Sequence, residues 1–384
     1  MNTIDIKREF IRFMEEKHAG LLFPKNYFGC MMAVLIEQEP ITQDNIKKLT
    51  NYSKTTISQM LKLLQVNFPL IQIKKPKIRK KYYSINLSTG EFMITFLRML
   101  IEAYRDKVDF ILPLIEEIKP YTKKHQKFQN FSEFLENFFK NSSLYIKLLT
   151  DSSEEFSILV KSEKIEIDEL ISTDLINSPE NQTYIQSLFT PPKLPTSIFI
   201  QRIGDKELSR IYVQIKNKFY QKFRQNLTSA RSRTAIARAV IGTELLLEKR
   251  PLTQKELERA TGFQRSTISD TLKLLLNLKM VQLIKKPGDR KKYYMIVQSW
   301  DARTINRMRA NIGYAIEMQE GISDFIEITK QIDTGEEINS LLTFLHHIHH
   351  SYKQFEQYFK LLEVKYLNIR LKEYLARETI PLTS

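Results

Sequence analysis

Cysteine, glycine and long apolar runs are scarce in this sequence, and each scarcity excludes a class of protein. The single cysteine, Cys30, excludes a disulfide framework and is typical of a chain in a reducing compartment. Because Cys30 directly precedes the apolar run at 31–36, we expect it in the core, with a redox-sensing thiol as the alternative. The ten glycines are scattered and form no phosphate-binding loop.

Catalytic signatures are also missing. The sequence contains no GxxxxGK[ST], GxGxxG, HExxH or GxSxG motif. An enzyme is not excluded by this, but nothing in the sequence supports one. We therefore expect neither an enzymatic activity nor a cofactor.

The apolar runs are short throughout. The first twenty residues lack the apolar centre of a secretory signal. No run approaches the roughly 18 apolar residues that a membrane-spanning helix needs. We expect a cytoplasmic protein with no membrane partner.

Positive charge is what the sequence has in excess. Its 59 lysine and arginine residues stand against 44 aspartate and glutamate residues, which gives a formal net charge of +15. Such an excess favours a polyanionic partner, either nucleic acid or an acidic membrane surface. The 384 residues, 42% of them hydrophobic, suffice for two or three domains with real cores.

One segment of the chain occurs twice. Residues 40–85 align without a gap on residues 251–296, and 21 of the 46 aligned pairs are identical. The identities include two basic stretches, IKKPKIRKKYY at 73–83 and IKKPGDRKKYY at 284–294. Identity at this level indicates an internal duplication.

Each copy begins with two predicted helices. An apolar helix at 27–36 or 236–247 is followed by a proline and then by a threonine that opens a short second helix. In the second copy Thr253 and Glu256 have the spacing of a capping box, whereas the first copy has Asn45 in place of the glutamate.

The second helix of each copy ends at a residue that tolerates the left-handed turn, Asn51 or Gly262. A third helix then begins, and its apolar residues share one face: Ile57, Met60, Leu61 and Leu64. The opposite face is small, polar and basic, as in the recognition helix of a helix-turn-helix. An ordinary solvated amphipathic helix is the alternative.

A charged β-hairpin is predicted after each third helix. The apolar runs at 70–73 and 281–284 precede the basic stretches, and Tyr-Tyr leads into second strands at 82–85 and 293–296. In the second copy Gly288-Asp289 suits a tight turn, while the first copy has Lys77-Ile78 there and must turn differently. We interpret each hairpin as a wing; the alternative is a hairpin whose lysines simply stay hydrated.

These features together resemble a known family. Thr267-Ile268-Ser269, the leucines after it and the stretch GDRKKYY at 288–294 resemble the winged-helix regulators of the MarR superfamily, nearest the GbsR-like branch. FPK at 23–25 also fits that branch, although the first wing lacks its Gly-Asp pair. The likeness covers roughly half the chain. It implies an intracellular transcription regulator, often a repressor and often released by a small ligand.

The predicted architecture is mainly α with small β-wings. We expect two winged helix-turn-helix domains at 1–90 and 206–300, dimerisation-type helices at 91–150 and 301–384, and a linker and irregular region at 151–205. Heptad seams support the helices: one runs from Leu97 to Ile118 and is interrupted by Pro113, the other runs from Leu341 to Phe359. We expect an internal pseudo-dimer, possibly dimerising further; packing of these helices on their own domain is the alternative.

The predicted partner is double-stranded DNA. Base contacts are assigned to the third helices, at Ser53, Lys54, Thr55, Thr56, Ser58, Gln59, Lys62, Gln264, Arg265, Ser266, Thr267, Ser269, Asp270 and Lys273. Phosphate contacts are assigned to the wings, at Lys74, Lys75, Lys77, Arg79, Lys80, Lys81, Lys285, Lys286, Arg290, Lys291 and Lys292. Such a protein would associate with the nucleoid, and the two helices, which differ in sequence, would read two unlike half-sites.

A histidine cluster near the C-terminus has two interpretations. His346 and His350 are spaced to share one helical face and are candidate metal ligands, whereas a partly exposed helix beside an interface is the simpler reading. We predict no metal. For the whole chain, a low-specificity architectural DNA-binding protein and a tandem winged-helix scaffold remain the alternatives to a sequence-specific regulator.

Overall fold

Helices dominate the chain. The computed structural model describes residues 2–18, 24–74, 80–85, 89–161, 174–189, 203–228, 233–278, 280–285, 288–297, 299–332 and 335–378. The α-helices within them are α1 Thr3–His18, α2 Lys25–Glu37, α3 Gln43–Thr50, α4 Lys54–Asn67, α5 Thr89–Asp109, α6 Ile111–Ile118, α7 Gln126–Asp151, α8 Ser153–Lys161, α9 Asp174–Asn177, α10 Pro179–Phe189, α11 Lys206–Thr228, α12 Arg233–Glu248, α13 Gln254–Thr261, α14 Arg265–Asn277, α15 Trp300–Lys330 and α16 Glu336–Glu378.

The strands form two small antiparallel sheets of the same design. They are β1 Ile41–Thr42, β2 Leu70–Lys74, β3 Lys81–Ile85, β4 Leu252–Thr253, β5 Val281–Lys285 and β6 Lys292–Ile296. The strand order is β1-β3-β2 in one sheet and β4-β6-β5 in the other. The prediction of a mainly helical fold with small β elements is confirmed.

The duplicated sequence has the same order of elements in both copies. We call residues 25–85 the first repeat segment and residues 233–296 the second; each runs helix, short strand, helix, helix, strand, strand. The register of the sheets agrees as well, since Ile41 pairs with Tyr83 and Leu252 with Tyr294 at the offset of 211 residues. The identities between the copies are therefore accompanied by equivalent local structure.

The second helix of each repeat segment starts and stops where the sequence predicts. Thr253 and Glu256 form the capping box at the start of α13, while Thr42 accepts a hydrogen bond from the backbone N–H of Asn45 without the reciprocal bond. Asn51 and Gly262 end α3 and α13 with φ of 63° and 68°, in the left-handed region.

Each repeat segment has its own core. In the second segment α12, α13, α14 and the sheet surround a buried cluster: Ala237, Ile241, Leu245, Leu252, Leu257, Ile268, Leu272, Leu275, Val281, Tyr294 and Ile296. In the first segment Ile57, Leu61 and Leu64 of α4 are buried in the same way. Cys30 is fully buried in α2, and burial raises its pKa to about 12, so its placement in the core is confirmed.

The chain divides into two units, each assembled from separated stretches. Unit 1 comprises Met1–Met99, Asp151–Leu170 and Met308–Leu361, and unit 2 comprises Leu100–Thr150, Ile171–Arg307 and Leu362–Ser384. Each unit thus contains one repeat segment together with helices that follow the other repeat segment in the sequence.

Aromatic side chains join these distant stretches inside each unit. In unit 1 Phe10 of α1 packs edge-on against Phe325 of α15, with ring centroids 5.3 Å apart. In unit 2 Phe134 of α7 contacts Phe219 of α11 at 5.7 Å and Trp300 of α15 at 5.6 Å. Burial of such large side chains contributes strongly to the stability of each unit.

The later heptad seam is buried throughout, and the earlier one is buried at every position except Ile115, which is half-buried. All six residues of the later seam are at most 3% exposed: Leu341, Leu345, Ile348, Tyr352, Phe355 and Phe359. The earlier seam is interrupted between α5 and α6, because Pro113 occupies the third position of α6, where its missing N–H is tolerated.

The region predicted as a linker and irregular stretch, 151–205, contains α8, α9 and α10. These helices are held by a few buried apolar residues, among them Phe156, whose ring centroid lies 4.7 Å from that of Tyr358 in unit 1. Their short length and polar composition left little helical periodicity to detect. The proline-rich stretch at 190–195 lies outside the described residues.

Candidate nucleic-acid interface

The third helix of each repeat segment, α4 or α14, buries one face and exposes the other. Ile57 and Ile268 are fully buried at equivalent positions. Among the predicted contact residues, Ser53, Lys54, Thr55, Gln59, Lys62, Gln264, Arg265, Ser266, Asp270 and Lys273 are exposed, and Thr56, Ser58, Thr267 and Ser269 are half-buried. The polar face is therefore accessible in both copies.

The N-termini of these two helices differ in their hydrogen bonds. Ser53 caps α4, because its Oγ accepts from the backbone N–H of Thr56 at 3.1 Å and also lies 2.9 Å from Thr56 Oγ1. Gln264 occupies the equivalent position before α14, and its side chain makes no capping hydrogen bond. Two of the predicted base-contacting hydroxyls of the first copy are thus engaged within the chain.

Each basic stretch runs from an outer strand, β2 or β5, to the central strand of its sheet, β3 or β6. The cations Lys74, Lys80, Lys81, Lys285, Arg290, Lys291 and Lys292 are all exposed. Lys74 pairs with Lys81 and Lys285 with Lys292 at the turn end of each strand pair. Like charges placed side by side repel one another and attract a polyanion. Lys75, Lys77, Ile78, Arg79 and Lys286 lie outside the described residues, as does Phe23.

The turn of the second hairpin is organised by Gly288 and Asp289. Gly288 has a φ of 76°, which a glycine adopts without strain. Asp289 Oδ1 accepts from the backbone N–H of Lys291 at 2.9 Å, and its Oδ2 accepts from the hydroxyl of Tyr293 at 2.7 Å. The latter bond raises the pKa of Tyr293. The aspartate therefore holds the basic strand Lys292–Ile296 at its start.

In the first repeat segment a carboxylate joins the helix to the hairpin. Asp44, in the first turn of α3, lies with its Oδ1 2.7 Å from Lys54 Nζ and its Oδ2 4.0 Å from Lys80 Nζ. The hydrogen bond to Lys54 and the charge of Lys80 lower the pKa of Asp44. The start of α4 and the end of the hairpin at which β3 begins therefore lie on the same side of this repeat segment.

Equivalent hydrogen bonds join the second helix to the sheet in both repeat segments. Gln43 Nε2 donates to Tyr83 Oη at 3.2 Å, and Gln254 Nε2 donates to Tyr294 Oη at 3.3 Å. These bonds tie the second helix of each repeat segment to the central strand of its sheet. They account for the identity of glutamine and tyrosine at these positions in the two copies.

Between the second and third helices of each repeat segment lies an aromatic residue, Tyr52 or Phe263, which contacts a helix that precedes the repeat segment in the sequence. In unit 1 the hydroxyl of Tyr52 donates to the carboxylate of Glu15 in α1. In unit 2 the guanidinium of Arg224 in α11 lies 5.0 Å from the ring centroid of Phe263 and donates to the carbonyl oxygen of Thr261. Both contacts anchor the chain just before α4 or α14 begins.

Sequence reasoning missed Asp44 and its counterpart Lys255. The offset of 211 residues aligns these two positions and shows opposite charges there. The signal was present in the repeat, but the contact of Asp44 with two predicted DNA-binding lysines becomes visible only in three dimensions.

The histidine cluster lies on α16. His346 and His350 are exposed on α16, and His350 Nε2 lies 3.0 Å from Gln354 Nε2. Among the residues that the structure describes, no group of three histidine, cysteine, aspartate or glutamate side chains is arranged to hold a metal ion. The half-buried neighbour His349 has a pKa lowered by burial and by His346. Within the described ranges, no helix combines the length and apolarity needed to cross a membrane.

Comparison with known proteins assigns this chain to no family. No protein-family model matches this sequence. A search of curated proteins likewise returns no match. The functional reading of these two faces therefore depends on their own geometry and charge.

Proposed function

We propose that this chain is a sequence-specific, double-stranded DNA-binding transcription regulator with two winged helix-turn-helix domains, one in each repeat segment. The observation that carries the proposal is the occurrence, twice in one chain, of an exposed polar helix start followed in the sequence by an exposed basic hairpin. In the first repeat segment Asp44 contacts Lys54 of the helix and Lys80 of the hairpin, which supports a common face for both.

The proposed division of labour follows from the chemistry of the side chains. Helices α4 and α14 enter the major groove, where Lys54, Thr55, Arg265 and Ser266 can reach base edges. The hairpin lysines and arginines contact phosphates, which gives affinity and orientation but little sequence information. Because the two helices differ in sequence, the two half-sites that they read differ as well.

Repression is the proposed direction of regulation, and it rests on the resemblance to MarR-type regulators. The same resemblance suggests release by a small ligand and an intramolecular pseudo-dimer. A low-specificity architectural protein would share the charge but would have no need for two differently shaped helix starts.

The decisive experiment is selection of bound duplexes from a random-sequence pool, followed by sequencing and by titration of the selected duplex. We expect two unlike half-sites about one helical turn apart. We also expect log K to fall with log salt with a slope of about −5 to −7, for about six to eight neutralised phosphates. A pool that shows no sequence enrichment, or a strictly symmetric site, would contradict this proposal.

Charge-removal variants separate the two kinds of contact. Replacing Arg290, Lys291 and Lys292 by alanine should weaken binding to every duplex by a similar factor, whereas Arg265→Ala should change the preferred bases. Three exposed cations of α11 provide a control with the same loss of charge: Arg210, Lys218 and Lys222. Equal loss of affinity in this control would show that net charge alone governs binding.

A further inference from the structure

We infer that Asp44 competes with the DNA backbone for the cations of the first repeat segment, and that this segment is consequently the weaker of the two DNA-binding halves. This inference rests on the proposed function, and it predicts that the two repeat segments differ in their affinity for DNA. It assigns to Asp44 the place of a phosphate in the DNA-free protein.

The geometry of Asp44 fits that role. Its two carboxylate oxygens point to different cations, Oδ1 to Lys54 at 2.7 Å and Oδ2 to Lys80 at 4.0 Å. One cation belongs to the predicted base-reading helix and the other to the predicted phosphate-binding hairpin. A phosphate bound between them would need the position that the carboxylate already holds, and it would be repelled by that charge.

The second repeat segment lacks this competitor. Its residue equivalent to Asp44 is Lys255, which is exposed and adds a positive charge at the same place. Arg265, the counterpart of Lys54, forms no ion pair with any residue in the described part of the chain. The exchange of an acid for a base changes the local charge by two units in favour of DNA binding by the second segment.

A structural role for Asp44 is the rival explanation. An acid in the first turn of a helix is favourable in itself, and Asp44 occupies the first turn of α3. In α13 Glu256 of the capping box supplies the negative charge in the first turn, so that position 255 does not need an acidic residue. A purely structural Asp44 would affect stability when changed, but removing it would not make DNA binding tighter.

The expected effect is modest, because Lys54 and Asp44 are both well exposed, at 63% and 43% of the side chain. From the typical strength of exposed ion pairs, freeing Lys54 should tighten binding by about twofold to fivefold. Asp44→Lys adds a positive charge as well, and it should make the salt slope steeper by about one.

The test uses the full chain and a duplex that the unaltered protein has selected from a random pool, at about 0.15 M salt, where charges beyond roughly 8 Å are screened. Asp44→Asn and Asp44→Lys should bind more tightly, Asp44→Glu should be unchanged, and Lys255→Asp should bind more weakly. Glu207→Gln is the matched control, since Glu207 is also an exposed first-turn acid paired with a cation, Arg210. Thermal unfolding of each variant confirms that it is folded.

Footprinting of the same duplex shows which half binds first. One half-site should be protected at lower protein concentration than the other, and Asp44→Lys should bring the two protections together. Asp44→Asn and Asp44→Lys variants that are folded but bind no tighter than the unaltered protein would overturn the role of Asp44 while leaving the proposed function intact. If the unaltered protein selects no duplex, the proposed function fails and this inference fails with it.

Discussion

At the scale of single residues, His18 shows how burial sets the protonation of a side chain. Its Nδ1–H donates to the carbonyl oxygen of Met14 at 2.7 Å, since a carbonyl can only accept. Its Nε2 lies 2.9 Å from the hydroxyl of Tyr314 and 3.0 Å from that of Tyr352, so its single lone pair can accept from one of the two, and the ring stacks on Phe28. Burial lowers the pKa of His18 to about 4, so the ring is neutral at physiological pH.

This burial makes unit 1 sensitive to acid. In the unfolded chain the pKa returns to about 6.5, so protons bind preferentially to the unfolded state between about pH 6.5 and 4. Stability from this site is complete above pH 6.5 and is lost as the pH falls. We expect roughly 2 kcal/mol less stability at pH 5 than at pH 7 from His18 alone.

Denaturant unfolding at both pH values measures this loss. His18→Gln keeps hydrogen-bonding capacity but does not titrate, so its stability should fall less than that of the unaltered protein over the same interval. The comparison subtracts the carboxylates that also titrate in this range. An equal fall in both proteins would assign the acid sensitivity to other groups.

At the scale of elements, the two copies stabilise the same short helix unequally. Glu256 accepts from Thr253 through both the backbone N–H and Oγ1, each at 2.8 Å, and from Arg250 at 2.7 Å. Burial disfavours its charge, but these bonds outweigh it and hold the pKa of Glu256 below its usual value. The first copy has only the bonds between Thr42 and Asn45.

Alanine at the two capping threonines should reveal this difference. Thr253→Ala should cost about 2 kcal/mol, because a bond to an ionised carboxylate is lost, and Thr42→Ala about 1 kcal/mol. Amide hydrogen exchange in α13 and α3, together with denaturant unfolding, measures the two costs. If Thr42→Ala lost more stability than Thr253→Ala, the capping box would not be the stronger of the two caps.

Elements of the repeat segments could be predicted well because their signals are local. The caps at Thr253 and Gly262, the apolar face beginning at Ile57 and the strand pair of each hairpin follow from spacing and turn chemistry. The helices at 153–161 and 179–189 were missed, because their stability comes from tertiary contacts such as Phe156 with Tyr358. The link between Asp44 and Lys80 was also missed, because it joins two exposed side chains 36 positions apart in the sequence.

At the scale of the whole molecule, the two units could not be predicted from the sequence. Their assembly depends on which long helix packs on which repeat segment, and a heptad seam does not specify its partner. Phe10 meeting Phe325 joins positions more than three hundred residues apart. Each unit combines stretches that lie far apart in the sequence, and local composition gives no signal for such a combination.

Separate expression of fragments 1–195 and 196–384 tests this interleaving. The first fragment lacks residues 308–361 of unit 1, and the second lacks residues 100–150 of unit 2. Each would expose a large apolar surface, so we expect neither to unfold cooperatively in a thermal melt followed by circular dichroism. Co-expression should restore a cooperative transition, whereas two independently stable fragments would contradict the interleaved arrangement.

The interleaved stretches also fix the order of events during synthesis. The first repeat segment leaves the ribosome early, but unit 1 is complete only when residue 361 has emerged. At ordinary rates of translation this delay is on the order of tens of seconds. During that interval α1 can pack on α2 of the first repeat segment, but Phe10 lacks its contacts with Phe325 of α15 and Phe344 of α16. For this protein the speed of the ribosome is therefore part of the folding problem.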